Sequence, residues 1–147
     1  RAADRLEGIR TTLGERGISI SPEYIIECPY EIAAGRQAMR ELLGNALPPT
    51  AVICGNDVLA YGALLECQAS GVAVPGRVSI TGFDDLPLSS HIQPPLTTMH
   101  VPCAEMGTKA ADYLLHQLAR KPYSQEMQLE VQLVVRGTTA PPGPADQ

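Results

Sequence analysis

Two short apolar runs, each ending at a glycine, constrain the fold of this chain more than any other feature. They occupy 51–54 and 78–81, and each is followed by side chains that carry amide or carboxylate groups. These polar residues are Asn56, Asp57, Asp84 and Asp85. In an open α/β sheet, ligands bind beyond the carboxyl ends of the parallel strands. Two strand ends with this chemistry therefore predict a pocket for a small polar molecule.

Helical and strand patterns alternate around these two runs. Apolar residues recur at helical spacing in three segments, which are 2–16, 32–44 and 57–70. Residues typical of short strands occur at 24–27, 50–54 and 78–81. Residues 1–83 therefore alternate α-β-α-β-α-β, which predicts an α/β fold in three layers, with a parallel sheet and helices on both faces. Because the run at 50–54 is continuously apolar, we expect that strand to be covered on both faces.

The pattern changes after Asp85. Three prolines and two serines within 86–95 predict an irregular surface segment, and a short strand is expected at 97–100. Pro102 suits the first turn of a helix over 103–119. The apolar residues of that helix lie on two sides. We therefore expect it to have two partners, one of them outside this chain or on a second subunit.

The two ends of the chain give weaker signals. Apolar residues alternate over 127–135, which predicts a strand with one buried face. Residues 140–147 are rich in Pro and Gly, and we expect a disordered tail there. Residues 1–10 have the pattern of a helix interior with no strand before them. We therefore expect the chain to be part of a longer polypeptide.

Composition excludes several classes of function. The 147 residues carry a formal net charge of −5, contain no Trp and are 4% aromatic, which argues against a basic or base-stacking surface for nucleic acid. No apolar run approaches the roughly 18 residues that a membrane-spanning helix needs. The cysteines are far apart, which favours reduced, buried thiols in a cytoplasmic protein. They are Cys28, Cys54, Cys67 and Cys103.

Catalytic and cofactor-binding motifs are absent from the sequence. It contains no phosphate-binding or dinucleotide-binding glycine loop, no metalloprotease motif and no nucleophile elbow. The three histidines lack the spacing of metal ligands, and they are His91, His100 and His116. The run at 89–91, Ser-Ser-His, is too short-range for a catalytic triad. We therefore expect no catalytic site, no metal site and no cofactor.

Each polar residue at the predicted pocket also has a purely structural interpretation. Asn56 or Asp57 could cap a helix, because such side chains accept the free N–H groups of its first turn. Asp84 and Asp85 could stabilise a turn by bonding to their own backbone. A carboxylate there could equally accept hydrogen bonds from sugar hydroxyls or from the N–H of a base. The sequence leaves these alternatives open.

Arg5 and Tyr30 are further candidates for the pocket. Arg5 lies just inside the first helix, where most arginines are solvated, although a guanidinium fork could also reach into a cleft. Tyr30 follows the first predicted strand, where a ring could pack locally or stack on a flat ligand. Neither residue identifies a ligand by itself.

Two long motifs resemble those of LacI/GalR-type bacterial transcription regulators. Residues 50–63, T-A-V-I-C-G-N-D-V-L-A-Y-G-A, resemble the family's P-T-A-[VI]-x-x-x-N-D-x-x-A-x-G-A signature. Residues 71–85 are similar to its G-x-x-V-P-x-D-[VI]-S-[VI]-x-G-F-D-D pattern, with Arg77 at the acidic position. In combination these motifs are highly specific.

Two shorter motifs extend the resemblance. Residues 95–98, P-L-T-T, resemble the family's hinge-crossing segment. The helix from Arg5 to Gly8 resembles its R-x-x-G-F helix, with Ile9 where the family often has Phe. The likeness covers nearly all of residues 1–139.

The resemblance implies a periplasmic-binding-protein-like effector domain of type I, with two lobes. Residues 1–96 and 131–139 would form the C-terminal lobe, and 97–130 would be a return segment belonging to the N-terminal lobe. A homodimer is implied, with 86–95 and 103–119 as candidate contacts. The resemblance further implies operator DNA bound by a helix-turn-helix outside this chain, and a small effector, a sugar or a nucleobase, bound between the lobes.

Position by position, the family's effector contacts fall on Arg5, Asn56 and Asp84, and its frequent aromatic stacking position falls on Tyr30. The leading hypothesis is therefore an effector-sensing domain of a cytoplasmic transcription regulator. A periplasmic sugar-binding receptor of the same fold is the alternative. A third possibility, a Rossmann-type enzyme, requires a nucleophile or phosphate loop that the sequence does not show.

Overall fold

The computed structural model describes residues 2–122 and 128–141 of the chain. Within these residues the α-helices are α1 (Ala2–Gly14), α2 (Ile32–Leu43), α3 (Asp57–Ala69) and α4 (Cys103–Leu118). The strands in the same residues are β1 (Ala51–Ile53), β2 (Ser79–Thr81), β3 (Thr98–His100) and β4 (Gln132–Val134). Short 3₁₀ turns lie at Pro22–Tyr24 and Pro87–Ser90. The predicted alternation of helices and strands is therefore present, apart from its first strand.

β2 is the central strand of the parallel sheet. On one side it pairs in parallel with β1, so that Val52 is opposite Ile80. On the other side Thr81 forms a parallel bridge with Thr97, and the N–H of Ile80 donates to the carbonyl of Thr138 at 2.9 Å. The stretch of chain that leads to β3 and the stretch that follows β4 therefore meet beside β2. β3 and β4 form a separate antiparallel pair.

The core lies between α2, α3 and β2. Its buried apolar residues are Met39, Ala60, Tyr61, Ala63, Cys67, Val78, Ile80 and Leu96. Two glycines let α2 and α3 approach each other closely. A Cβ at Gly35 would meet the backbone of Leu59, and a Cβ at Gly62 would lie 2.8 Å from the backbone nitrogen of Arg36. The helix pair therefore excludes any side chain at these two positions.

The two ends of α3 follow signals that are present in the sequence. Asn56 is the N-cap, and its Oδ1 accepts the N–H of Leu59 at 3.0 Å. Gly71 has a φ of +67°, and the N–H of Val72 returns to the carbonyl of Cys67 at 2.9 Å. This is the Schellman arrangement that commonly ends a helix. The predicted bounds of α3 are confirmed at both ends.

The predicted strand at 24–27 is wrong. Pro22 opens a 3₁₀ turn there, and the N–H of Ile25 donates back to the Pro22 carbonyl at 3.0 Å. Residues 25–29 have no regular secondary structure. Residues with high strand propensity form a strand only where a neighbouring strand is available to pair with them. In the part of the chain that the structure describes, no strand is paired with this segment.

The expectation that β1 is covered on both faces is also wrong. Ala51 and Ile53 are exposed, with 57% of Ile53 accessible, whereas Val52 between them is half-buried. Successive side chains of a strand point to opposite faces. One face of β1 is therefore packed, and the other is open in this chain.

The predicted strand at 127–135 is present as the shorter β4. Residue 127 lies outside the described residues, and 128–131 are not in a strand. The alternating side chains expected to form a buried face are exposed instead, namely Val131, Leu133 and Val135. α4 likewise has no buried residue, and Leu118 is 82% exposed. Among the described residues nothing covers these apolar faces.

The segments that were predicted to be irregular have little regular structure. Within 86–95 the chain forms only the short turn at Pro87–Ser90. The predicted disordered tail falls mostly on 142–147, which lie outside the described residues. No helix in the described part of the chain is long and apolar enough to cross a membrane.

Candidate functional site

Arg5 joins α1 to the ends of β1 and β2. Its Nη2 donates to the hydroxyl of Tyr30 and to the carbonyl of Gly55, each at 3.0 Å. Its guanidinium carbon lies 4.4 Å from the centre of the Phe83 ring, which is a cation–π contact. Arg5 Nε is buried and has no hydrogen-bond partner among the described residues. This arginine is therefore half-buried and held by specific contacts.

Tyr30 lies beside the end of β1. Its hydroxyl is held by Arg5, and a Cβ added at Gly55 would lie 3.3 Å from Cε1 of its ring. Gly55 therefore leaves the space that lets the ring approach the strand end. About half of Tyr30, 49%, stays exposed. The ring is fixed at its hydroxyl end while the residue still reaches solvent.

Asn56 is committed to the cap of α3. It is buried, and its Oδ1 accepts the N–H of Leu59. The structural interpretation of this residue is therefore confirmed. Asn56 also directly follows Gly55, whose carbonyl accepts a hydrogen bond from Arg5. The cap thus lies next to the cluster formed by Arg5 and Tyr30.

Asp84 lies in a turn immediately after Phe83. Its φ is +112°, a value that non-glycine residues seldom adopt, and its N–H donates to the carbonyl of Met99 at 2.9 Å. Burial and the negative charge of Asp57 raise the pKa of the Asp84 carboxyl, and the positive charge of Arg5 opposes that rise. The carboxyl group is therefore partly enclosed and within the field of Arg5.

The structure brings Arg5, Tyr30 and the strand ends that carry Asn56 and Asp84 into one cluster. Sequence reasoning missed Phe83, on which Arg5 rests. Its position between a strand-ending glycine and an aspartate gives no local signal for such a contact. The contact joins residues that are far apart in the chain, so only the fold reveals it.

Asp57 is the second residue that the sequence undervalued. It is completely buried, and its carboxylate accepts hydrogen bonds from Ser89 Oγ and Thr98 Oγ1 at 2.5 Å and from the N–H of Leu86 at 2.8 Å. Its own N–H donates to the carbonyl of Phe83 at 2.9 Å. The sequence did hold a signal for this role. A helix cap needs only one side chain, so with Asn56 as the cap the adjacent Asp57 was left without a function.

Gly82 provides the space for the buried carboxylate of Asp57. A Cβ at Gly82 would collide with Oδ1 of Asp57 and would lie 2.9 Å from Cδ2 of Leu96. Gly82, which ends the second apolar run, is therefore required because the Asp57 carboxylate packs directly against its Cα. Asp57 holds the chain on both sides of the turn that contains Asp84, because its backbone N–H donates to the Phe83 carbonyl and its carboxylate accepts the N–H of Leu86.

Asp85 points away from this cluster. Its Oδ1 accepts a hydrogen bond from Arg136 Nη2 at 2.7 Å, and its Oδ2 lies 3.0 Å from His100 Nδ1. Burial opposes ionisation of this carboxyl, but the hydrogen bonds and charges of Arg136 and His100 outweigh burial and lower its pKa. Asp84 and Asp85 are therefore adjacent in the chain but contact different groups.

The remaining histidine, cysteine and acidic side chains of the described residues bear on metal binding and thiol reactivity. No group of three or more His, Cys, Asp or Glu residues among 2–122 and 128–141 is arranged to hold a metal ion. All four cysteines are free. Burial raises the pKa of Cys54 to about 12 and that of Cys67 to about 11, so both thiols are protonated near neutral pH. Of the four cysteines expected to be buried, only Cys67 is, because Cys28 and Cys54 are half-buried and Cys103 is exposed.

A protein-family model matches nearly the whole chain. It describes a periplasmic binding protein-like domain and aligns with residues 1–139. This chain belongs to the family of periplasmic binding protein-like domains. The α/β fold predicted from the sequence is the fold of that family.

Two curated relatives carry the same resemblance. The chain is 39% identical over 136 residues to the HTH-type transcriptional repressor CytR of Escherichia coli K12, covering 92% of this chain and 40% of CytR. It is 37% identical over 135 residues to the ribose operon repressor of the same strain, covering 91% of this chain and 41% of that protein. The chain therefore spans about two-fifths of the length of these relatives. Both are named as repressors and not as enzymes.

Solved structures agree with this family assignment. A LacI-type putative transcriptional regulator from Bacillus cereus matches with a TM-score of 0.89 and 31% identity, over 94% of this chain and 49% of that one. The Escherichia coli transcriptional repressor ascG matches with a TM-score of 0.86 and 28% identity, over 94% of this chain and 51% of that one. The suspected membership in the LacI/GalR family is confirmed.

Proposed function

We propose that this chain is the effector-sensing part of a LacI/GalR-type transcription regulator. A small polar ligand would bind beside Arg5, Tyr30, Asn56 and Asp84. The observation that carries the proposal is the position of Arg5, whose guanidinium contacts Tyr30, Gly55 and Phe83 at the same time. Arg5 thus contacts the residues that follow both β1 and β2, and α/β proteins bind ligands at such strand ends.

The groups of this cluster suit a sugar or a nucleobase. The carboxyl of Asp84 can accept hydrogen bonds from hydroxyls or from ring N–H groups, and such bonds are stronger when the acceptor is ionised. The exposed ring of Tyr30 is a flat apolar surface on which a sugar face or a base can stack. Arg5 Nε is a buried donor without a partner among the described residues. An acceptor atom of the ligand would satisfy it.

The consequence for DNA binding follows from linkage. A ligand can shift a protein between two arrangements only if it binds them with different affinities. We propose that closure of a cleft around the ligand changes the relative position of two lobes and thereby the spacing of DNA-binding heads in a homodimer. The relative CytR is named as an HTH-type repressor. By analogy, operator DNA would be bound by a helix-turn-helix outside this chain.

The division of the chain between two lobes is part of the same proposal. Residues 1–96 and 131–139 would belong to the C-terminal lobe and 97–130 to the N-terminal lobe. The exposed apolar residues of α4 and β4 support this division, because they need cover that no described residue provides. We also propose a cytoplasmic location and a homodimer, in which 86–95 and 103–119 are candidate contacts.

The periplasmic receptor of the same fold is the less supported alternative. The two relatives described above are repressors. The four cysteines form no disulfide, whereas structural disulfides persist in the oxidising periplasm. These two observations favour the regulator.

A thermal-shift screen of the intact protein tests the proposal. The probes are D-ribose, D-galactose, sucrose, adenine and adenosine, each at saturating concentration. A ligand present at about 100 times its dissociation constant stabilises the folded state by about 2.7 kcal/mol, which raises the melting temperature by several degrees. We expect at least one probe to produce such a shift. The proposal is contradicted if a nucleoside triphosphate shifts the melting temperature while every sugar and base fails to do so.

A further inference from the structure

Asp85 contacts the two stretches of chain that run beside β2. We call residues 97–100 the outgoing segment, because they lead from the sheet to α4, and residues 136–138 the returning segment. Both meet β2, since Thr97 bridges to Thr81 and Thr138 accepts the N–H of Ile80. Any movement of α4 and β4 relative to β2 must therefore pass through these two segments.

The carboxylate of Asp85 bridges the outgoing and returning segments. Arg136 Nη2 donates to its Oδ1 at 2.7 Å, and His100 Nδ1 lies 3.0 Å from its Oδ2. Because an ionised carboxylate only accepts hydrogen bonds, Nδ1 of His100 carries the proton of this contact. Asp85 is mostly buried, with 16% of its side chain exposed. Such partly enclosed, bonded charges stabilise one geometry more than exposed pairs do.

Arg136 completes the connection between the two segments. Its Nη1 donates to the carbonyl of Leu96 at 2.9 Å, and its backbone N–H donates to Thr97 Oγ1 at 2.9 Å. The returning segment is therefore attached to the start of the outgoing segment and, through Asp85, to the turn after β2. Residues 85 and 136 are 51 positions apart in the chain.

The turn that carries Asp85 also carries Asp84. Both residues have positive φ, +112° for Asp84 and +55° for Asp85, and such backbone persists only where surrounding contacts hold it. Asp57 holds it from both sides, by donating to the Phe83 carbonyl and by accepting the N–H of Leu86. A displacement of Asp84 therefore has to displace Asp85.

Asp84 itself reaches the outgoing segment, because its N–H donates to the carbonyl of Met99 at 2.9 Å. We propose that Asp85 is a positioning residue that extends ligand contact at Asp84 to the returning segment through Arg136. This inference rests on the proposed function, because it takes Asp84 as a ligand contact. Asp85 is assigned a positioning role because both of its oxygens already accept hydrogen bonds within the protein, from His100 and Arg136. It acts by holding these two segments in one relative position.

The experiment compares Asp85→Asn with wild type in the intact protein, first without ligand. Hydrogen exchange of the amides in 97–100 and 132–138 is measured by mass spectrometry. We expect Asp85→Asn and Arg136→Gln each to raise these rates by about tenfold, because local opening becomes easier, while α3 keeps its rates. The double variant should raise the rates by less than the product of the two single effects, since both substitutions remove the same Asp85–Arg136 pair. Unchanged rates in the two segments overturn the proposal.

The second arm uses the probes D-ribose and adenosine. In wild type a bound probe should slow exchange in both segments. In Asp85→Asn the calorimetric affinity should stay within about threefold of wild type, whereas the slowing in the returning segment should be lost. The outgoing segment keeps its direct bond from Asp84 to Met99, so its slowing does not decide the question. Ligand-induced slowing of the returning segment that survives in Asp85→Asn overturns the proposal. If wild type binds neither probe, the ligand-free rates still decide whether Asp85 holds the segments, and the proposed function is judged separately by the thermal-shift screen.

Glu66→Gln is the matched control for both arms. Glu66 is also a nearly buried carboxylate, bonded to Arg36 and Arg40, but it lies between α2 and α3. Glu66→Gln should raise the rates of amide hydrogen exchange in α2 and α3 and leave the rates in the outgoing and returning segments unchanged. An equal effect of Glu66→Gln on the two segments would mean that Asp85→Asn acts only through general stability, and this would also overturn the proposal.

Discussion

The guanidinium carbon of Arg5 lies 4.4 Å from the centre of the Phe83 ring. The two residues are on different elements, since Arg5 belongs to α1 and Phe83 follows β2. α1 has no buried residue of its own, so this contact and the hydrogen bonds of Arg5 are its main specific attachments to the strand ends. The orientation of the cation at the candidate site therefore depends on an aromatic ring that does not itself need to touch a ligand.

Phe83→Leu tests this dependence. The substitution keeps an apolar side chain but removes the π face, and a partly buried cation–π contact contributes about 1 kcal/mol. We expect the free energy of unfolding in urea to fall by about that amount. Phe83→Tyr retains the ring face and should stay close to wild type. A Leu variant as stable as wild type would show that the contact contributes nothing.

Gly62→Ala should destabilise the protein strongly. A Cβ there would lie 2.8 Å from the backbone nitrogen of Arg36 and would also meet the backbone of Ile32, so α2 and α3 would have to separate. Overpacking of this kind typically costs about 1–3 kcal/mol. Gly107→Ala in α4 meets no atom within 4 Å and should stabilise its helix by about 0.5–1 kcal/mol. Chemical denaturation measures both, and equal effects would contradict the close approach.

Asp57→Ala should be among the most damaging changes at a polar residue. It leaves Ser89 Oγ, Thr98 Oγ1 and the N–H of Leu86 without their acceptor in a buried site. Each hydrogen bond to a charged group contributes about 1.5–3 kcal/mol, so the loss should reach several kcal/mol. Asp112→Ala removes an exposed acid from α4 as a control and should change stability by less than about 0.5 kcal/mol. Similar urea midpoints for the two variants would contradict the role of Asp57.

Glu66 predicts a specific loss of stability in acid. Hydrogen bonds from Arg40, opposed by burial and supported by Arg36, hold the pKa of Glu66 below its ordinary value of 4.5. A carboxyl with a lowered pKa in the folded state contributes stability above its unfolded pKa, and this contribution is lost as the pH falls through the folded pKa. The free energy of unfolding should therefore decrease more steeply below about pH 4.5 in wild type than in Glu66→Gln.

Glu41→Gln provides the control for the acid prediction. Glu41 is exposed on α2, and exposed charges contribute little to stability. Its variant should follow the wild-type curve of unfolding free energy against pH. If the Glu66→Gln curve also parallels wild type below about pH 4.5, the lowered pKa has no consequence for stability.

The sequence predicted those features of the fold that depend on interactions between residues close together in the chain, such as the ends of helices. Asn56 and Gly71 fix the two ends of α3 through a cap and a left-handed glycine, and both effects act over a few residues. The strand at 24–27 failed because pairing requires a partner that propensity does not report. The exposed faces of β1 and β4 were not predictable either, since burial depends on what lies against them. The two apolar sides of α4, in contrast, had already indicated a partner outside this chain.

The sequence predicted which strand ends carry the candidate site residues, but not which side chains contact each other there. Asn56 and Asp84 follow from the rule that strand ends carry ligands, and the structure places both beside Arg5 or its immediate contacts. The Arg5–Phe83 contact and the Asp85–Arg136 pair connect residues that are distant in sequence. Nothing in the local pattern of an arginine in a helix, or of one of two adjacent aspartates, identifies such a partner.

Isothermal titration of the intact protein with the best probe of the thermal-shift screen tests the central claim most directly. Asp84→Ala removes the carboxyl that the ligand is proposed to bind, and Glu41→Ala removes an exposed one on α2. We predict that Asp84→Ala weakens binding by at least about 100-fold, the effect of losing hydrogen bonds worth about 3 kcal/mol, and that Glu41→Ala binds like wild type. Wild-type affinity in Asp84→Ala would contradict the account.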